Sequence, residues 1–179
     1  MSRIWQSLLQ RSAEARADAR GDAPSALANA TFAVPLMIAP GVAELRVWVD
    51  ASTRHNKVTG LGLVIRDGRD ALIGWHARTA RGMTNNEGEY ESLLFGLASV
   101  LPYRPQNLRI FADSQVVVDQ MNGASTVRSG RLQPLYQRAQ RLAKQFGMVS
   151  FTHIPREWNV LADAMAEDAV MRAVGEMRR

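Results

Sequence analysis

Glu44-Leu45-Arg46-Val47-Trp48-Val49-Asp50 is the stretch on which the fold turns. Leu45, Val47 and Val49 alternate with their neighbours, the period of a strand with one buried face, and the run ends on an acid. Downstream, residues 61–65 and 71–77 are two more strands, separated by Asp67-Gly68, a strong hairpin signal. Three successive antiparallel strands are therefore predicted. A helix over residues 86–100 follows and ends at Pro102. A short strand at 108–112 leads into a helix at 114–121, stopped by Asn122-Gly123. A longer helix covers 132–146 with Gly147 as its cap, then come a last strand at 148–154 and a last helix at 159–174.

The predicted order is β-β-β-α-β-α-α-β-α. Strand–helix–strand steps within one sheet need crossovers, so the two later strands run parallel to the first. The expectation is an α/β fold: a mixed five-stranded sheet, three antiparallel strands then two parallel, flanked by helices.

Upstream of Glu44 the pattern is different. Over residues 2–19, Ile4, Trp5, Leu8 and Leu9 mark one apolar side of a helix, with Arg3, Arg11 and Arg16 outside it. Residues 21–24 break the pattern, and 33–41 carry two prolines and read as a linker. Residues 1–40 are thus a helical appendage and linker, and 41–179 the globular domain. Glu14, Asp18 and Asp22 oppose a transit peptide, and the long apolar core of a secretory signal is missing, so a cytoplasmic location is expected. The apolar side of the appendage suits self-association or a protein partner; packing back on the domain, or plain disorder, is the alternative.

Bulk properties narrow the chemistry. In 179 residues there is no cysteine, which excludes disulfides and thiolate metal sites. Any metal must be held by carboxylates, imidazole or water, a donor set for hard cations such as Mg²⁺ and Mn²⁺. A formal net charge of +5, carried mostly by arginine, suits a polyanion. No apolar run is long enough for a membrane span, so no membrane partner is expected.

The acids fall at element ends. Asp50 ends the first strand and Asp113 the fourth; as parallel neighbours they emerge at one sheet edge, where α/β sheets place ligands. Glu89 lies in line with Leu93 and Leu97, on the sheet-facing stripe of its helix. A carboxylate there is costly unless it is paired or holds a cation. Asp163 lies just inside the last helix among small apolar residues. Each also has a structural role open to it: Asn86 with Glu89 approximates a capping box, and Asp113-Ser114 or Asn159 can cap a helix.

Three ordered motifs carry a resemblance: Thr84-Asn85-Asn86-Glu87-Gly88-Glu89-Tyr90; Asp113-Ser114-Gln115-Val116-Val117; and Pro155-Arg156-Glu157-Trp158-Asn159 followed by Ala162-Asp163. Over residues 44–173 the chain resembles type 1 ribonuclease H, in the archaeal-type or reverse-transcriptase-like branch that lacks a basic protrusion. The resemblance implies an RNase H-like catalytic domain over 41–179. It also implies a metal-dependent endoribonuclease that cuts the RNA strand of RNA/DNA hybrids and leaves 5′-phosphate and 3′-hydroxyl ends.

By the same resemblance Asp50, Glu89, Asp113 and Asp163 are catalytic and hold two Mg²⁺ ions, with Mn²⁺ as substitute. Ser52, Thr84, Asn85, Asn86, Arg156 and Asn159 contact substrate, the Thr84–Asn86 stretch at the minor groove, where the 2′-hydroxyls lie. His153 is open to two readings, an auxiliary catalytic group or a plain strand residue. His55 and His76 have no motif context and read as surface residues. The chain departs from the family pattern at Ala51, where glycine is usual, at Asn56-Lys57-Val58 and at Gly88. Two rivals stand beside the enzyme: a binding module on the same fold, and another nuclease on that fold.

Overall fold

The computed structural model of the chain describes residues 31–33, 40–54, 57–80 and 82–177. The 2–19 helix falls outside them. The strands are β1 (Thr31–Ala33), β2 (Glu44–Arg54), β3 (Val58–Asp67), β4 (Leu72–Ala80), β5 (Asn107–Ala112) and β6 (Met148–His153). The helices are α1 (Asn85–Val100), α2 (Gln115–Met121), α3 (Leu132–Ala143) and α4 (Val160–Met177).

One sheet runs in the order β1-β4-β3-β2-β5-β6. β2, β3 and β4 are antiparallel neighbours, and β5 and β6 run parallel to β2. The expected five-stranded mixed sheet is there, with the three-residue β1 added antiparallel along β4. So the segment 1–40, expected to be a helical appendage and linker, holds a strand at 31–33, one too short to show a period.

Alternation decides the two faces. Leu45, Val47 and Val49 of β2, Leu61, Leu63 and Ile65 of β3, and Leu108 and Ile110 of β5 form the core with Tyr90, Leu93 and Leu97 of α1. α4 packs on the opposite face, and β3 carries glycines where it does so. A Cβ on Gly60 would stand 1.9 Å from the Ala166 carbonyl oxygen, and one on Gly62 2.2 Å from that of Ala162. This close approach sets the height of α4, and with it Asp163.

Several local expectations are corrected. The hairpin that Asp67-Gly68 signals joins β3 to β4, through a turn longer than those two residues. Asp67 Oδ1 accepts from the amides of Arg69 and Ala71, and the left-handed residue is Asp70 at φ 67°. α1 is capped by Thr84 with Glu87, whose carboxylate takes the Thr84 amide at 2.7 Å. That frees Glu89 from the capping role. α3 ends at Ala143, short of 146, and Gly147 is not among the left-handed glycines. Among the described residues no helix is long and apolar enough to cross a membrane.

Candidate active site

β2 does not end at Asp50 but runs on to Arg54; just past the last parallel pair, Trp48 with Phe111, β2 and the carboxyl end of β5 meet the first turns of α1 and α4. Ligand oxygens of Asp50, Glu89 and Asp113 all lie within 4.8 Å of one another there. Asp50 is 4% exposed. Glu89 is half-buried, yet its Oε2 is fully shielded and has no hydrogen-bond partner. Burial first, then the Asp113 carboxylate, pushes the Asp50 carboxyl up to about 8. Glu89 is held well above the usual carboxylate range by burial, then by Asp50 and Asp113. Like charges at this spacing oppose ionisation unless a cation joins them.

The main donor into the cluster is Asn159, 1% exposed. Its Nδ2 donates to the Val49 carbonyl at 3.0 Å, to Asp113 Oδ1 at 3.3 Å and to Asp50 Oδ1 at 3.4 Å. Asn159 precedes α4, but its Oδ1 has no partner and makes no side-chain cap; its Nδ2 ties β2 and the end of β5 to the start of α4. Ser114 makes no side-chain cap either.

Asp163 is one step out. It is not part of the close triad, and its carboxylate accepts from Arg156 Nη2 at 2.8 Å. Its charge is still near enough to raise Asp50, while Arg156 lowers it. His153, exposed at the end of β6, places Nε2 3.2 Å from the Asp113 carbonyl oxygen. It is thus beside the cluster without touching a carboxylate. Asn85 and Asn86 open α1 with exposed side chains. Ser52 donates to Glu167 Oε2 at 2.8 Å, and Arg54 pairs with the same carboxylate. Glu167 escaped the sequence reading, although its place one helical turn beyond Asp163 put it on the same side of α4. His76, read as surface, instead packs edge-on against Phe95 under α1, and burial lowers its pKa.

Three clustered carboxylates, an orphaned buried oxygen and no thiolate or imidazole in the set fit a hard divalent cation. Asp50, Glu89 and Asp113 would hold it, with Asp163 available once Arg156 turns away.

A family model described as reverse transcriptase-like matches residues 48–169, a span holding all four acids. The chain belongs to the type 1 ribonuclease H family. It is 33% identical over 123 residues to a bifunctional protein of Mycobacterium tuberculosis, a match covering 68% of this chain and 34% of that protein. The chain thus spans about a third of the length of that relative. Among solved structures it is similar to RNase H1 from the halophilic archaeon Halobacterium salinarum, with 28% identity and a TM-score of 0.70. That match covers 73% of this chain and 99% of the archaeal one. It is also similar to LC11-RNase H1 in complex with RNA/DNA hybrid, at 25% identity and TM-score 0.69, over 73% of this chain and 99% of that one. As expected of an RNase H without the basic protrusion, the connection from α2 to α3 is short, ten residues from 122 to 131, and holds no helix.

Proposed function

We propose that this RNase H hydrolyses the RNA strand of RNA/DNA hybrids with divalent cations, Mg²⁺ or in its place Mn²⁺. The observation that carries the reading is the approach of Asp50, Glu89 and Asp113 within 4.8 Å, where the parallel pairing of β2 with β5 ends beside the first turn of α1. Two divalent cations, when bound, supply Lewis-acid activation of the attacking water and of the leaving oxygen.

The chain's own groups do the rest. Asp50, Glu89 and Asp113 supply the negative charge that gathers the cations against the scissile phosphate. Asn159 fixes Asp50 and Asp113 in one orientation, so little reorganisation is needed when a cation arrives. Arg156 screens Asp163 in the free protein and can turn to the substrate phosphate, which leaves the fourth carboxylate to the cations. Thr84, Asn85 and Asn86 open α1 beside Glu89 and present amide and hydroxyl groups to a minor groove lined by 2′-hydroxyls. Ser52 and Arg54, held by Glu167, border the same edge. His153 can relay a proton or help release product, and a His153→Ala pH profile separates that role from a purely structural one. A cytoplasmic site of action and a role for residues 1–40 in self-association or in binding a protein partner complete the proposal.

The experiment is a panel of hybrid, duplex RNA, duplex DNA and each single strand, with Mg²⁺, Mn²⁺ or EDTA. Cutting confined to the RNA of the hybrid and abolished by EDTA is expected. Metal-independent cutting, or cutting of duplex DNA, overturns the proposal and favours another nuclease on this fold. Tight hybrid binding with no cutting at all favours the binding module.

A further inference from the structure

The sheet face opposite α1 carries a pattern that the hydrolytic reaction does not use. Side chains alternate along β2, so Arg46, Trp48 and Asp50 share this face. Trp48 stands opposite Val64 of β3 and Phe111 of β5, and Arg46 opposite Arg66 and Arg109. Beneath the acids, then, lies an aromatic row, and beneath that a row of three arginines. Trp48 and Phe111 stack with ring centroids 4.7 Å apart. The Arg66 guanidinium lies 5.6 Å over Trp48, and that of Arg109 5.8 Å over Phe111. Arg46 and Arg66 are engaged by Glu44 and Asp70. Arg109 has no carboxylate partner among the described residues and is left to meet an outside anion.

α4 crosses this face over Gly60 and Gly62 and leaves the aromatic row partly open. A cavity of about 310 Å³ opens beside that row, lined among others by Trp48, Arg66, Glu157, Trp158 and Asn159. Its volume is at the lower end of small-ligand pockets. Trp158 is 73% exposed, so its ring is open to an incoming plane. Asn159 is both a wall of this cavity and the donor to Asp50 and Asp113. One side chain therefore separates the cavity from the acids.

An indole stacks on a flat aromatic plane, and the Arg66 guanidinium and Glu157 carboxylate offer donor and acceptor at its rim. A base inside a duplex has no free face to offer an indole; an unpaired base has two. A strand whose phosphodiester lies at the acids can carry its next unpaired base over Asn159 into the cavity. Stacking of this kind tolerates any sequence, and a cation beyond it meets the backbone.

We propose that the cavity takes an unpaired nucleobase from a single-stranded RNA flank of the substrate, stacked on Trp158, with Arg109 toward the flank's phosphates. This rests on the hydrolase reading above, and the two are tested separately. Cutting of a blunt hybrid by the wild-type protein tests the hydrolase. The flank is tested by binding, read as anisotropy of a labelled hybrid on the cleavage-deficient Asp113→Asn protein. The hybrids are blunt, extended at either end of the RNA strand, or extended at either end of the DNA strand. The expected result is tightening by an RNA flank of roughly 5- to 160-fold over blunt, the range of one stacked base, with no gain from a DNA flank. Adding Trp158→Ala should bring the flanked-to-blunt ratio to about one, and Trp158→Phe should keep most of it. A ratio near one in the parent protein, an equal gain from DNA flanks, or a ratio untouched by Trp158→Ala overturns the proposal.

Discussion

Replacing Asp50 by Asn should make the metal-free protein more stable, and the gain should depend on pH in a set direction. Asp50 is raised from 3.8 to about 8 in the folded protein, chiefly by burial and then by Asp113. A carboxyl whose folded pKa is raised binds its proton more tightly in the native state. The fold therefore gains from that proton below about 4 and loses the advantage as pH rises toward about 8. At 1.36 kcal/mol per pKa unit, the whole interval is worth up to roughly 6 kcal/mol. Asp113 and Glu89 share the repulsion and relax together, so a gain of ~2–4 kcal/mol at pH 8 is expected. The amide keeps an acceptor for Asn159 Nδ2 and gains a donor for Asp113. For a domain of this size the gain is a rise in Tm of about 5–10 °C. The assay is thermal unfolding in EDTA at pH 4, 6 and 8. The variant should melt with the wild type at pH 4 and above it at pH 8. Mg²⁺ should raise the wild-type Tm and close much of that gap, because cations bind the native carboxylates only. Equal melting at pH 8, or a variant that is less stable there, refutes the reasoning that a buried charge beside Asp113 destabilises this edge of the sheet.

Asp113→Asn should keep the circular dichroism spectrum and lose hybrid cleavage by at least about 10³-fold, about 4 kcal/mol of transition-state stabilisation. Asn159→Ala should lower kcat or cation affinity by roughly 10- to 100-fold, the usual cost of removing a group that orients ligands, measured by Mg²⁺ titration of cleavage. Gly62→Ala should cost at least ~1–3 kcal/mol in denaturant unfolding, because its Cβ would stand 2.2 Å from the Ala162 carbonyl oxygen and α4 must lift. Beginning the chain at Gly41 should leave a folded, active domain without the β1 edge pairing, since β3 still holds β4. An insoluble product would make the first forty residues part of the core.

How legible each feature was in the sequence follows from how local its cause is. The alternation of Leu45, Val47 and Val49 gave β2 and its buried face directly, and the helix spacing of Glu89, Leu93 and Leu97 turned Glu89 toward the sheet. Parallel crossovers then put Asp50 and Asp113 at one edge, where the structure has them. The corrections fall where a short-range signal had competitors. Thr84 with Glu87 satisfies a capping box as well as Asn86 with Glu89 does, and only the start of α1 decides between them. β1 is three residues long and shows no period. Asn159 looks like a cap in sequence because its bonds to Val49, Asp50 and Asp113 cross more than forty residues. The pairing of Asp163 with Arg156, and of Ser52 and Arg54 with Glu167, depends on the depth at which α4 sits on Gly60 and Gly62. That depth is a property of packing, not of any one segment.

The most direct test of the account is the chemistry of the ends produced. A labelled RNA/DNA hybrid, cut in Mg²⁺, is treated with phosphatase and with ligase. If Asp50, Glu89, Asp113 and Asp163 gather cations that activate water in line with the 3′-oxygen, every product carries a 5′-phosphate and a 3′-hydroxyl, and EDTA stops the reaction. Products ending in a 2′,3′-cyclic phosphate, formed equally well in EDTA, would contradict it, because the 2′-hydroxyl would then be the nucleophile and the carboxylate cluster would have no part in the cut.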